Sequence, residues 1–438
     1  MFSPKRHLIL EWENVEQTLR ETLRYRYNKN VTVDFYEECT LRLDYIRHLI
    51  DSVQGDDEPG LNDLMGKLNA LSVLVTNIER SHLEEFAWPF AEALKRIYRD
   101  AFGKDVLFMF RAEGDLCSYA VRPESIRTGI FKRRINSVVF PRALKDSVLL
   151  HVIIGHEFGH AALVSDPTLN GIIRGLIAES VVAEPQKLFQ WCADNIGVIN
   201  RIDDGYLREK AYRWAVELFC DLFALVTMGP SFLPAFQSLL EILSFRPSQP
   251  YVGTHPPFAS RAVMLLHAAR SLELLYSERS SPNDLMQLSA PLDKGFVDLA
   301  TKWAAGPFSI LDPARVAQAA IELSQFAQNR PLLAFPAPDA QLISQLMRSI
   351  GDKVPPAGMY PATITASPDG APLLAEPRIV DFRLILFAGW LTSSVEPVDK
   401  NEAHFRQVNR MCSHAIMQQE GIVHWLESEA RLSAQGAT

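Results

Sequence analysis

The stretch Leu149-Leu-His-Val-Ile-Ile-Gly-His156-Glu157-Phe-Gly-His160-Ala-Ala-Leu163 reads as a buried helix that carries His-Glu-x-x-His. Asp146 and Ser147 are good N-caps ahead of it, and Ser165-Asp166-Pro167 stops it. Leu149, Val152, Ile153, His156, His160 and Leu163 recur at i, i+3, i+4 spacing and share one face. The two histidines therefore stand on the apolar stripe, with Cβ atoms about 5–6 Å apart. Imidazoles at that separation can share one Zn²⁺ at about 2.0–2.1 Å. Glu157 projects about 100° further round the helix, where it can hold a water at such an ion and take its proton. The bland alternative is a pair of core histidines bonded to carbonyls. An unsatisfied polar pair on a buried face is costly, which favours the metal. His151, on a neighbouring face, reads as a packing residue.

A catalytic zinc needs a third protein ligand and an open position. Downstream, Trp214-Ala-Val-Glu217-Leu-Phe-Cys-Asp221-Leu-Phe-Ala-Leu-Val-Thr-Met228 is an apolar helix closed by Gly229-Pro230. Glu217 and Asp221 are its only charges and, four apart, share a face. Buried carboxylates need something positive or strongly hydrogen-bonding to meet them. A zinc ion for Glu217 and the free N–H of a zinc-ligating histidine for Asp221 meet that need. The plainer alternative is a buried salt bridge to an arginine such as Arg213 or Arg261. Glu179 and Glu184 are weaker candidates for the third ligand, without an i+4 carboxylate partner. Cys220 reads as core, as buried cysteine usually is. Tyr212, Trp214 and Tyr251 are candidates for a pocket wall or for core.

His156-Glu157-x-x-His160 followed by Glu217-x-x-x-Asp221 resembles the gluzincin zinc metallopeptidases. Thr254-His255-Pro256-Pro257-Phe-Ala-Ser-Arg261 narrows the resemblance to the peptidase domain of the CaaX prenyl protease and HtpX family. The resemblance implies one zinc ion held by His156, His160 and Glu217, with Glu157 as general base and Asp221 behind a ligating histidine. It also implies His255 as a catalytic group that polarises the substrate carbonyl or stabilises the oxyanion, and Arg261 as support near Asp221; the plainer reading of His255 is a histidine in a Pro-bounded turn that caps the next helix. It covers roughly residues 140–270. That family is usually embedded in membrane, and its second motif commonly has Ala where this chain has Cys220.

Outward from this core the texture changes. Residues 11–100 carry helical leucine and isoleucine patterns broken at Gln54–Gly60. Val106–Phe110, Cys117–Val121 and Ser137–Phe140 are short β-branched and aromatic runs that predict a small sheet. In a peptidase, Ser137–Phe140 could take an extended peptide by strand addition. Arg246–Pro257 and Pro355–Pro377 are rich in Pro and Gly and read as linkers or loops. Asn401–Leu432 reads as one long amphipathic helix. The predicted class is α+β, predominantly helical, with a small twisted sheet beside the His-Glu-x-x-His helix and helical flanking regions. Three regions follow: 1–102 helical, 103–277 metallopeptidase-like, 278–438 helical.

The 438 residues hold 44 basic and 52 acidic side chains, and 47% are apolar. A net charge of -8 argues against nucleic acid or an anionic membrane surface as the main partner. Five scattered cysteines without a Cys-x-x-Cys pair fit reduced thiols. The first residues lack the long apolar stretch of a secretory signal, and the apolar stretches 147–164 and 214–228 are interrupted by charge, so no membrane span is predicted. A cytoplasmic location is the expectation. The expected activity is a soluble zinc metallopeptidase acting on a peptide or protein, with the helical flanks available to a protein partner. The alternative is a zinc-containing interaction or regulatory protein on a peptidase scaffold, latent or inactive.

Overall fold

The computed structural model describes residues 4–22, 29–53, 58–80, 88–102, 106–112, 119–123, 134–171, 185–196, 203–244, 255–256, 258–276, 312–330, 332–356, 365–366, 372–373, 379–394 and 401–435. Within them the chain is mostly helical with a small three-stranded mixed sheet, the predominantly helical α+β class expected. They form two compact units, Met1–Ala91 with Gly103–Lys145 and Glu92–Phe102 with Asp146–Thr438. This grouping crosses the three regions read from composition, because the strands go with the N-terminal helices.

In the first unit, α1 (Pro4–Thr22), α2 (Lys29–Ser52) and α3 (Glu58–Arg80) turn their apolar stripes inward. Leu8, Leu19, Leu43, Ile46, Leu64, Leu68 and Leu71 are buried in one cluster, joined by Leu107 and Met109 from the sheet. Each such side chain contributes about 1.5–3 kcal/mol when fully buried. The Trp12 indole N–H donates to the Leu43 carbonyl at 2.7 Å, tying α1 to α2. Helix α4 (Trp88–Phe102) begins in this unit, and its residues from Glu92 onward belong to the second.

Strand β1 (Val106–Ala112) runs parallel to β3 (Arg134–Phe140), and β2 (Ala120–Pro123) lies antiparallel on the other side of β3. Ser137 is thus opposite Met109 on one side and Arg122 on the other, and Val138 opposite Phe110 and Val121. A central strand has no free ladder of N–H and C=O groups. Strand addition at Ser137–Phe140, expected from the sequence, is therefore corrected: over Ser137–Val139 both edges are taken.

The second unit holds α5 (Ile154–Ser165), α6 (Pro185–Ile196), α7 (Asp204–Met228), α8 (Phe232–Ser244), α9 (Phe258–Tyr276), α10 (Pro313–Gln328), α11 (Ala340–Gly351), α12 (Phe382–Ser393) and α13 (Asn401–Gln435). The last spans the long helix predicted from 401 onward. Helix α5 starts later than the caps suggested. A 3₁₀ turn, Leu150–Ile153, precedes it, and Ser147 contributes its carbonyl, accepting from the N–H groups of Leu150 and His151. Asp166 closes the far end, its N–H reaching Ala162 O. Helix α7 begins at the Asp203 cap, whose carboxylate accepts from Tyr206 N–H, and ends at Gly229 with φ 67°, where a left-handed residue favours glycine.

Three contacts fix the lead-in to α5. Asn409 on α13 donates to Asp146 O at 2.6 Å and accepts from Leu149 N–H at 3.2 Å. Trp390 on α12 donates its indole N–H to Leu149 O at 3.2 Å. On the other side, Tyr98 of α4 stacks on Phe158 with ring centroids 3.6 Å apart and hydrogen-bonds Thr227 at 3.2 Å. The stretch Asp204–Leu240 is long and apolar enough to cross a membrane by length and composition, and 89% of its most apolar window is buried within the protein.

Candidate metal centre

Helices α5 and α7 meet through small residues. A Cβ added at Gly159 would stand 2.8 Å from Cys220 Cα, and one at Gly155 would stand 3.2 Å from Ala224 Cα. Without side chains at these two positions the backbones approach closely. Gly155 faces Ala224 while Gly159 faces Cys220, so the helices run antiparallel. The neighbouring stripe of α5, His156 and His160, is thereby laid along Glu217 and Asp221 of α7.

The four side chains converge. His156 Nδ1 lies 2.8 Å from Asp221 Oδ1. His156 Nε2 is 3.3 Å from Glu217 Oε2, and His160 Nε2 is 3.6 Å from Glu217 Oε1. The two imidazole centroids are 5.0 Å apart at 80°. From the loop before α9, His255 brings its Nε2 to 3.1 Å from Glu217 Oε2. Arg261 on α9 grips Asp221 with both arms of its fork, Nε to Oδ2 at 2.8 Å and Nη2 to Oδ1 at 2.7 Å. Its guanidinium also lies 4.8 Å from the centroid of the Phe236 ring, a stacking that suits Arg better than Lys.

Glu217 Oε2 is the telling atom. It is buried and has no hydrogen bond, although two imidazole nitrogens stand within 3.3 Å of it. Ligands of a tetrahedral Zn²⁺ at about 2.0–2.1 Å are spaced about 3.3–3.4 Å from one another. His156 Nε2 and Glu217 Oε2 stand at that spacing without hydrogen-bond geometry, as two donors to a shared cation would. His156, His160 and Glu217 can supply such a donor set. No protein-family model, no curated protein sequence and no solved structure matches this chain.

The charges support this donor set. Burial pushes the Asp221 carboxyl up, but Arg261 and His156 outweigh it and bring it to about 2. Glu217 likewise falls to about 2, chiefly through His156 against the effect of burial. An ionised carboxylate only accepts, so His156 Nδ1 donates to Asp221 and Nε2 is left facing Glu217. Burial lowers His156, yet Asp221 and Glu217 raise it to about 10. His160 drops to about 4 through burial and the charge of His156. Burial also lowers His255. Arg261 already balances Asp221, so the charge left facing Glu217 is that of the His156 imidazolium, in the place where a cation would sit.

Burial sets an inside and an outside. The side chains of Glu217 and Asp221 are 8% and 1% exposed, whereas those of His160 and His255 are 31% and 30% exposed. Glu157 is half-buried. All seven sequence-predicted residues lie in one unit, and the distances above join six of them into one cluster. Glu157 follows His156 on the same helix. The proposed Arg213 bridge to these carboxylates does not form: Arg213 is half-exposed and pairs with Glu209. Trp214 is core and Tyr212 is exposed. Glu179, Glu184 and Tyr251 fall outside the described residues.

Sequence reading left Cys220 in the core, and there it is, fully buried. Yet its sulfur joins His156 and His160 in a group whose potential ligand atoms all lie within 4.8 Å of one another. Its place three residues after Glu217 was the available signal. Burial, then the charges of Glu217, Glu157 and Asp221, pushes this thiol well above its usual range, so the metal-free site holds it protonated.

Proposed function

We propose that this protein is a zinc-dependent metallopeptidase whose ligands are His156, His160 and Glu217. The observation that carries the reading is the buried, hydrogen-bond-free Glu217 Oε2 at ligand spacing from His156, with the half-buried Glu157 next to His156 on α5. A zinc ion held there supplies Lewis acidity to a water and to a peptide carbonyl. Asp221 and Arg261 keep His156 in the tautomer that presents Nε2. Glu157 takes a proton from the attacking water and passes it to the amide nitrogen that leaves. His255, partly exposed beside Glu217, meets the carbonyl oxygen. A purely structural zinc site needs no general base, which weighs for catalysis.

The test is the Glu157→Gln variant. It should bind one zinc per chain, as the parent does, and cleave no peptide that the parent cleaves. Parent-like turnover in the variant would remove Glu157 from the mechanism.

Cys220 favours a second reading, a closed zinc site in a protein without peptidase activity. Structural zinc is four-coordinate and often takes Cys with His. Cobalt substitution separates the two: a thiolate-to-cobalt charge-transfer band marks a sulfur ligand, and its absence leaves the open site.

A further inference from the structure

We infer that Arg213 binds a carboxylate of the substrate at the rim of this site, an inference that rests on the peptidase reading. Helices α5 and α7 pair His156 with Asp221 and His160 with Glu217. The next step of that antiparallel register sets Val164 opposite Arg213. Exposure rises along both stripes in the same direction: His156 at 8%, His160 at 31%, then Val164 at 73%; Asp221 at 1%, Glu217 at 8%, then Arg213 at 50%. Both stripes thus become more exposed towards Arg213, the first cation beyond Glu217 on that stripe.

Four residues of helix put Arg213 about 6 Å along the axis from Glu217. An extended peptide covers that in about two residues. The substrate class is thus a peptide with a carboxylate within about two residues of the scissile bond, either an Asp or Glu side chain or the free C-terminus. Among the described residues Arg213 pairs with Glu209, itself 59% exposed and four residues away on α7. Such surface pairs are weak, so an incoming carboxylate can replace Glu209 on a guanidinium whose fork takes carboxylates bidentately.

Binding is measured on the uncleaving Glu157→Gln protein, with three peptides of one core sequence. One is neutral and amidated, one has a free C-terminus, and one is amidated with Glu two residues from the expected cleavage point. One of the charged peptides should bind about tenfold tighter than the neutral one, and which one identifies the source of the carboxylate. Adding Arg213→Gln should bring that ratio to about one, whereas Glu209→Gln, which frees the guanidinium, should raise it. Equal binding of all three peptides, or a ratio unmoved by Arg213→Gln, overturns the inference while cleavage by the parent protein keeps the peptidase reading. A parent that cleaves none of them overturns both.

Discussion

Asp221 is wedged between a histidine and an arginine: Oδ1 meets His156 Nδ1 at 2.8 Å, and both oxygens take the fork of Arg261. This carboxylate does not reach towards the exposed side of the site. It orients one imidazole and is itself oriented from behind. Asp221→Asn keeps the shape but can no longer accept from both partners as an anion. Zinc affinity should fall about 10–100-fold, the usual cost of losing the partner of a ligating histidine, as read by competition with a chromophoric chelator. Parent-like affinity would mean that the tautomer of His156 does not depend on Asp221.

Proton release follows from the same pair. A protonated imidazole competes with a cation, so zinc binds more weakly at low pH. His156 holds its proton up to about 10, while His160 has lost its own by about 4 and Glu217 by about 2. Between these limits one proton must leave for each zinc that binds. Apparent affinity should therefore rise about tenfold per pH unit from about 5 towards 10. Calorimetry at pH 7 in buffers of different ionisation enthalpy counts the protons directly. One released proton supports the His156, His160 and Glu217 set; a second would come from the raised thiol of Cys220 and favour the closed site; none would contradict both.

Arg261 gives a stability prediction. It is 5% exposed and balances a fully buried carboxylate. Arg261→Leu strips the guanidinium from the buried Asp221 carboxylate and leaves it to His156, at a cost of up to about 3–5 kcal/mol. Combining it with Asp221→Asn removes that charge and should recover much of the loss, because replacing both members of a buried pair is often close to neutral. Chemical denaturation of the single and double variants decides it. A double variant no more stable than Arg261→Leu would show that the arginine acts through packing on Phe236 rather than through charge.

Much of this was legible in the chain because it is periodic. The α5 stripe and the two carboxylates of α7 announce themselves at helical spacing, and the three short strands as runs of β-branched and aromatic residues. What periodicity cannot show is which stripe meets which. Leu107 and Met109 share a core with the helices of the first unit, so the strands belong there and not with the His-Glu-x-x-His helix that follows them in sequence. The anchoring of Leu149 by Trp390 and Asn409 spans more than 240 positions, and no local pattern in α12 or α13 announces it. The start of α5 was misplaced because Ser147 caps with its carbonyl, which carries no residue-type signal. Cys220 looked like core because it is core; its nearness to His156 and His160 appears only once Gly159 lets the helices close.

That closure can be tested by itself. A methyl at Gly159 would sit 2.8 Å from the Cα of Cys220, backbone that cannot rotate away. Gly159→Ala must therefore push α5 from α7, and overpacking of this kind costs about 1–3 kcal/mol. The same displacement draws His156 and His160 away from Glu217, so zinc affinity should fall together with the melting temperature. Gly66 is the control: it lies exposed within α3, and an added Cβ there meets nothing within 4 Å. Gly66→Ala should stabilise by about 0.5–1 kcal/mol, the helix-interior preference for Ala, and leave zinc affinity where it was. If Gly159→Ala lowers stability but binds zinc as tightly as the parent, the ligand set does not depend on the approach of these two helices, and Glu217 is the residue to reassign.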